Sequence, residues 1–115
     1  MQIQINSDNH IVGTPELSAR IEQKLRQTLK YLEKEITRIE VHLNDVNSIK
    51  GGADDKKCLL EARIAGMNPI LTEHYADTID QAVNGAAEQL ARALRSALEK
   101  AQASNKSRST IKRID

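Results

Sequence analysis

The chain has no Phe and no Trp, and its aromatic rings beyond histidine are Tyr31 and Tyr75 alone. Its core must therefore be aliphatic, and recognition modes that need several aromatic platforms or an aromatic cage lose their basis. A single cysteine, Cys58, precludes an internal disulfide, and without a second thiol there is no CxxC redox or zinc framework. Cys58 reads as a buried or half-buried strand residue rather than a reactive thiol. No stretch approaches the roughly 18 apolar residues of a membrane span. The leading Met1-Gln-Ile-Gln-Ile-Asn6 has neither a basic leader nor an apolar run, so the expected location is the cytoplasm.

Motifs that would carry chemistry are also missing. His10, His42 and His74 have no HxH or HExxH spacing, and Asp45, Asp54 and Asp55 lack the spacing of a calcium loop. Gly51-Gly52 is followed by no Lys-Ser/Thr signature and no helix, which removes a phosphate cradle. Cys58 has no motif-placed histidine, and Glu40 with His42 are polar residues at strand spacing. The expectation is a protein with no catalytic site, metal, cofactor or small-molecule substrate.

What remains is 115 residues, 39% hydrophobic, enough for one modest core. The formal charge of +1 is unevenly spread: Lys106, Arg108, Lys112 and Arg113 face only Asp115 in residues 103–115, leaving residues 1–102 at −2.

Periodicity divides the chain into elements. Ile3 and Ile5 alternate with Gln2, Gln4 and Asn6, a half-buried strand. Thr14-Pro15-Glu16 supplies an N-cap, a first-turn proline and an acid for the helix dipole. From there Leu17, Ile21, Leu25, Leu29 and Leu32 form one helical stripe. Ile39, Val41 and Leu43 alternate with Arg38, Glu40, His42 and Asn44 in a second strand, and a polar loop over 45–57 leads to a third beginning at Cys58. The short Ala65–Pro69 connection predicts an antiparallel hairpin to a strand at 70–74. Tyr75, at the corner that follows, is expected to pack its ring on the core. A second helix is expected over about 77–101, with Gly85 as an interior weak point. The run after Ala103 is Ser- and Lys/Arg-rich without periodicity, and reads as a disordered basic tail.

The fold class is thus α+β, a two-layer β-α-β-β-β-α sandwich with two helices on one face of a four-stranded sheet. It forms a domain over 1–102, with the tail at 103–115. This order resembles a double-stranded-RNA-binding domain with an extra leading strand. Two stretches resemble something narrower. Lys30-Tyr-Leu-Glu-Lys-Glu-Ile-Thr-Arg-Ile-Glu-Val-His-Leu43, and Thr78-Ile-Asp-Gln-Ala-Val-Asn84 with Glu88-Gln-Leu90, are similar to the ribosome hibernation-promoting factor and ribosome-associated inhibitor A family in its short form.

That resemblance implies a non-enzymatic stress protein that binds the small ribosomal subunit in the channel for messenger and transfer RNA and blocks translation by occupancy. It places Lys24, Arg26, Lys30 and Lys34 of the first helix and Arg92 and Arg95 of the second against rRNA phosphates. Where the family carries a Lys and then an Arg in its second helix, this chain has Gly85 and Glu88. Two other readings stand beside it. One is a divergent relative acting as a protein-interaction or regulatory module through the open sheet face or the 45–57 loop. The other is a general double-stranded-RNA binder.

Overall fold

The computed structural model describes residues 1–8, 14–45 and 56–114, with side chains described through residue 102. In chain order it comprises β1 (Gln2–Ser7), α1 (Pro15–Thr28), a 3-10 turn (Lys30–Leu32), β2 (Ile36–Asp45), β3 (Lys56–Ile64), β4 (Ile70–Ala76) and α2 (Ile79–Ile114). The expected α+β class and element order hold. His10 and most of the 45–57 loop, including Gly51-Gly52, lie outside the described residues.

The strands lie side by side in chain order, with β1 parallel to β2 and the other two pairings antiparallel. Parallel neighbours need a crossover, and α1 supplies it. The Thr14 hydroxyl accepts from the Leu17 amide at 3.1 Å, capping α1 as its sequence signature requires.

The first helix is shorter than its leucine stripe predicts. Leu29 leaves helical geometry (φ −102°, ψ 16°), and the Leu32 amide donates to the Leu29 carbonyl at 2.9 Å. The stripe's final spacing of three rather than four is the period of a 3-10 turn, so Leu29 and Leu32 stay buried while the backbone tightens. Lys30 therefore sits on that turn and Lys34 after it, rather than on α1.

β2 holds a second departure from simple alternation. Ile36 pairs with Ile64 but Arg38 pairs with Arg63, a bulge at Thr37 that puts both Ile36 and Ile39 into the core. The Thr37 hydroxyl donates to the Arg63 carbonyl at 2.9 Å.

The core is aliphatic throughout and, among the described residues, contains no buried polar side chain. Ala82, Ala86, Ala87 and Ala91 give α2 a small-residue face, against which β3 and β4 pack. The Thr72 hydroxyl of β4 donates to the Ala86 carbonyl at 3.0 Å. One step along β4, the His74 ring lies directly beneath Gly85, where a Cβ would collide with it. Gly85 is thus a point of close approach rather than a weak point, and His74 is a mid-strand residue turned toward the helix.

β4 also runs on through Tyr75 to Ala76. Tyr75 consequently points to the face opposite the helices, 44% exposed, instead of packing on the core, and Lys57 Nζ lies 5.7 Å from its ring centroid. At its far end α2 passes the expected boundary at 101 and is helical to Ile114, with no glycine or proline after Gly85 to interrupt the ladder.

The Gly85–His74 contact makes a prediction. Overpacking costs about 1–3 kcal/mol, against which replacing a helical glycine recovers up to about 1. Gly85→Ala should therefore lower the urea-unfolding free energy by about 1–2 kcal/mol. Adding His74→Ala, which vacates the space, should restore most of that loss.

Candidate nucleic-acid interface

The two helices form one layer whose inner side is core and whose outer side carries the cations predicted to meet phosphate. They run parallel, because β1 and β4 point the same way and each strand is followed by its helix. Arg20 Nε of α1 bonds Asp80 Oδ1 of α2 at 3.1 Å, fastening the layer near both helix starts.

Among the predicted contacts, Lys24 follows Arg20 by one turn and so lies on the α1 flank toward α2, half-buried. Lys30 and Lys34 are exposed beyond the C-terminal end of α1, and the 3-10 turn bearing Lys30 packs on α2. Arg92 and Arg95 are exposed on α2, while Ala91 and Leu94 between and beside them face inward. None of these five has an ion-pair partner among the described residues.

Arg26 differs. Its guanidinium contacts Glu22 Oε1 at 3.0 Å, Glu33 Oε1 at 2.8 Å and the Met1 carbonyl at 3.3 Å. It clasps α1, the segment after the 3-10 turn and the chain start together, so its donors are already engaged. Sequence reasoning grouped it with the phosphate contacts because Glu22 at i−4 and Glu33 at i+7 are ordinary surface acids until α1 ends and the chain folds back.

Two further residues of this layer carry no distinguishing signal in the sequence. Arg20 looks like any other surface cation until Asp80 is placed beside it. Tyr31 is 86% exposed between the predicted Lys30 and Lys34, and its neighbours Leu32 and Leu29 gave the only periodic signal there.

The opposite face of the sheet is differently built. Arg38 pairs with Glu40 at 2.8 Å and also meets Gln4, Arg63 pairs with Glu61 at 3.2 Å, and Lys57 pairs with Glu73 at 3.4 Å. His42 Nε2 stands 4.0 Å from Glu40. The cations on this face are matched by acids within it.

Beneath the helices, Cys58 stands opposite His74 across the β3–β4 ladder, a neighbour that sequence spacing does not reveal. Burial pushes the Cys58 thiol up to about 12, so at neutral pH it is a protonated core residue and not a nucleophile. No group of three or more potential metal ligands occurs among the described residues, and no described helix is long and apolar enough to cross a membrane.

A family model described as sigma 54 modulation protein / S30EA ribosomal protein matches residues 3–102. The chain belongs to this family. The membership accords with the resemblance carried by the 30–43 and 78–90 stretches. The fold is shared with a ribosomal subunit interface protein from Coxiella burnetii at TM-score 0.71 and 20% identity, covering 86% of this chain and 99% of that one. It is likewise shared with the N-terminal domain of Thermus thermophilus Protein Y at TM-score 0.64 and 15% identity, covering 80% and 93%. No curated protein matches the chain in sequence.

In this S30EA-family domain the engaged and the free cations should separate experimentally. Exposed pairs contribute up to about 1 kcal/mol each. Arg26→Ala should therefore lower the unfolding free energy by about 1 kcal/mol, whereas Lys30→Ala should leave the urea midpoint unchanged. Cys58 supplies a pH test. Its thiol holds its proton in the folded state to about 12, while the unfolded thiol releases it near 9. Its contribution is complete below pH 9 and is lost as pH rises toward 12, at about 1.4 kcal/mol per unit. Unfolding free energies of wild type and Cys58→Ala should accordingly converge over that interval.

Proposed function

We propose that this protein is a ribosome-associated stress factor that binds the small subunit through the outer side of its two-helix layer. It lies in the channel for messenger and transfer RNA and inhibits translation by occupying it. The reading is carried by one observation: in a chain of the S30EA family, Lys24, Lys30, Lys34, Arg92 and Arg95 stand on one layer with no acidic partner among the described residues. Unpaired, solvated cations retain condensed-ion release as a driving force when they meet phosphate, whereas a cation already bonded to carboxylate must first give up that bond.

The mechanism is electrostatic docking followed by exclusion, and no bond is made or broken. Lys and Arg side chains are long enough to reach backbone oxygens, and contacts of this kind fix orientation without reading sequence. Arg26 takes a different role from the one its sequence position implies. It holds the turn that presents Lys30 and Lys34, and so acts on binding through their placement.

A second reading draws on the opposite face, which carries Leu71, 60% exposed, Tyr75 and a self-neutralised set of charges. A partner protein docking there would be insensitive to the helix cations and sensitive to Arg38, His42 or Arg63.

Co-sedimentation with purified small subunits over a salt series distinguishes these. Lys30→Glu with Lys34→Glu should weaken binding and flatten the slope of log affinity against log salt by about 0.7–0.9 for each phosphate contact removed. Binding of unchanged affinity and slope would overturn the helix-layer reading. Equal affinity for a plain A-form duplex would instead indicate a general double-stranded-RNA binder.

A further inference from the structure

We infer that Tyr31 is a stacking platform for an unpaired base of RNA, flanked by Lys30 and Lys34 as contacts to the phosphates on either side of that base. The inference rests on the ribosome-binding reading and adds to it a contact with single-stranded rather than duplex RNA. The first observation is the ring's exposure. Tyr31 is 86% exposed in a chain with no Phe or Trp, whose buried core contains neither tyrosine.

The second observation is that the exposed ring stands on a fixed base. Buried Leu29 and Leu32 bracket the 3-10 turn, the Leu32 amide donates to Leu29 and the Glu35 amide to Leu32, and the Arg26–Glu33 pair at 2.8 Å ties down the segment that follows. A ring on such a turn loses little freedom on meeting a base, which is the condition under which stacking contributes most to affinity.

The third observation is the charge around it. Lys30 and Lys34 are exposed and free of acidic partners among the described residues, and Glu33 between them is occupied by Arg26. The turn packs on α2, and the helices run parallel from the Arg20–Asp80 bond. Arg92 and Arg95, lying well along α2, therefore belong to the same end of the layer. Glu33 being held by Arg26, exposed Glu35 is the acid of this segment that has no cation partner among the described residues, and the cations outnumber it. Bases within an A-form duplex are stacked on one another and present no free face, so a platform of this kind selects unpaired RNA.

The test uses the full chain with Tyr75→Phe, which leaves Tyr31 as the sole tyrosine in a protein without tryptophan. Titration with an unstructured oligouridine of about 12 nucleotides at about 0.1 M salt should quench Tyr31 emission, and an A-form duplex of similar length should not. In the wild-type background, Tyr31→Ala should weaken binding to the oligouridine and to small subunits about tenfold with an unchanged salt slope, while Tyr31→Phe should bind as wild type does. Absence of quenching, or Tyr31→Ala binding small subunits as tightly as wild type, would overturn the inference. If the Lys30→Glu, Lys34→Glu protein still fails to bind in that second case, the ribosome reading stands without the stacking contact. If it binds normally, both fall.

Discussion

The rest of this structure depends on how closely α2 can approach the sheet. With no Phe or Trp in the chain and neither tyrosine in the core, the space between the layers is closed by bringing backbones together. The alanines at 82, 86, 87 and 91 do this, and Gly85 does it furthest, since its missing side chain is replaced by the His74 ring. Close approach lets the Thr72 hydroxyl reach a helix carbonyl and lets His74 meet Gln89 at 3.3 Å. These polar contacts are ones a larger interlayer spacing would forbid. Dense packing of small aliphatic groups recovers through contact number what a few large rings supply elsewhere.

Both tyrosines lie outside the core, Tyr75 on the open sheet face under Lys57 and Tyr31 at the end of the helix layer. What distinguishes them is their surroundings. Tyr75 sits among charges that already satisfy one another, with Lys57 shared between its ring and Glu73. Tyr31 sits among cations that do not.

Sequence patterning carried the element order because each strand alternates and each helix keeps its stripe, and those periods are dictated by backbone geometry alone. It failed where a local event changes parity or pitch. The bulge at Thr37 brings Ile36 and Ile39 to the same side, and the tightening after Thr28 takes Lys30 off the helix while preserving the leucine stripe. Residue pairs distant in sequence were invisible for a different reason. Arg20 with Asp80, Arg26 with Glu33, and His74 beneath Gly85 are juxtapositions created by tertiary packing, and no periodicity encodes them. The candidate interface was therefore legible as a set of cations, and its division into engaged and available members was not.

That division resolves an apparent conflict between charge and proposed partner. Residues 1–102 carry a formal −2, an unpromising sum for a surface meant to meet phosphate. A sum over the domain, however, mixes charges that act at a distance with charges already cancelled at contact range. On the sheet face Arg38, Arg63 and Lys57 each stand within hydrogen-bonding or near-contact distance of an acid, so that face presents short-range dipoles whose fields decay quickly. On the helix layer, Arg20 and Arg26 absorb Asp80, Glu22 and Glu33 in the same way. This local cancellation leaves Lys24, Lys30, Lys34, Arg92, Arg95 and Lys100 against Glu16, Glu35, Glu88 and Glu99, none of which has an ion-pair partner among the described residues. At physiological salt the screening length is about 8 Å, so an approaching phosphate responds to that local excess and not to the net charge of the far face.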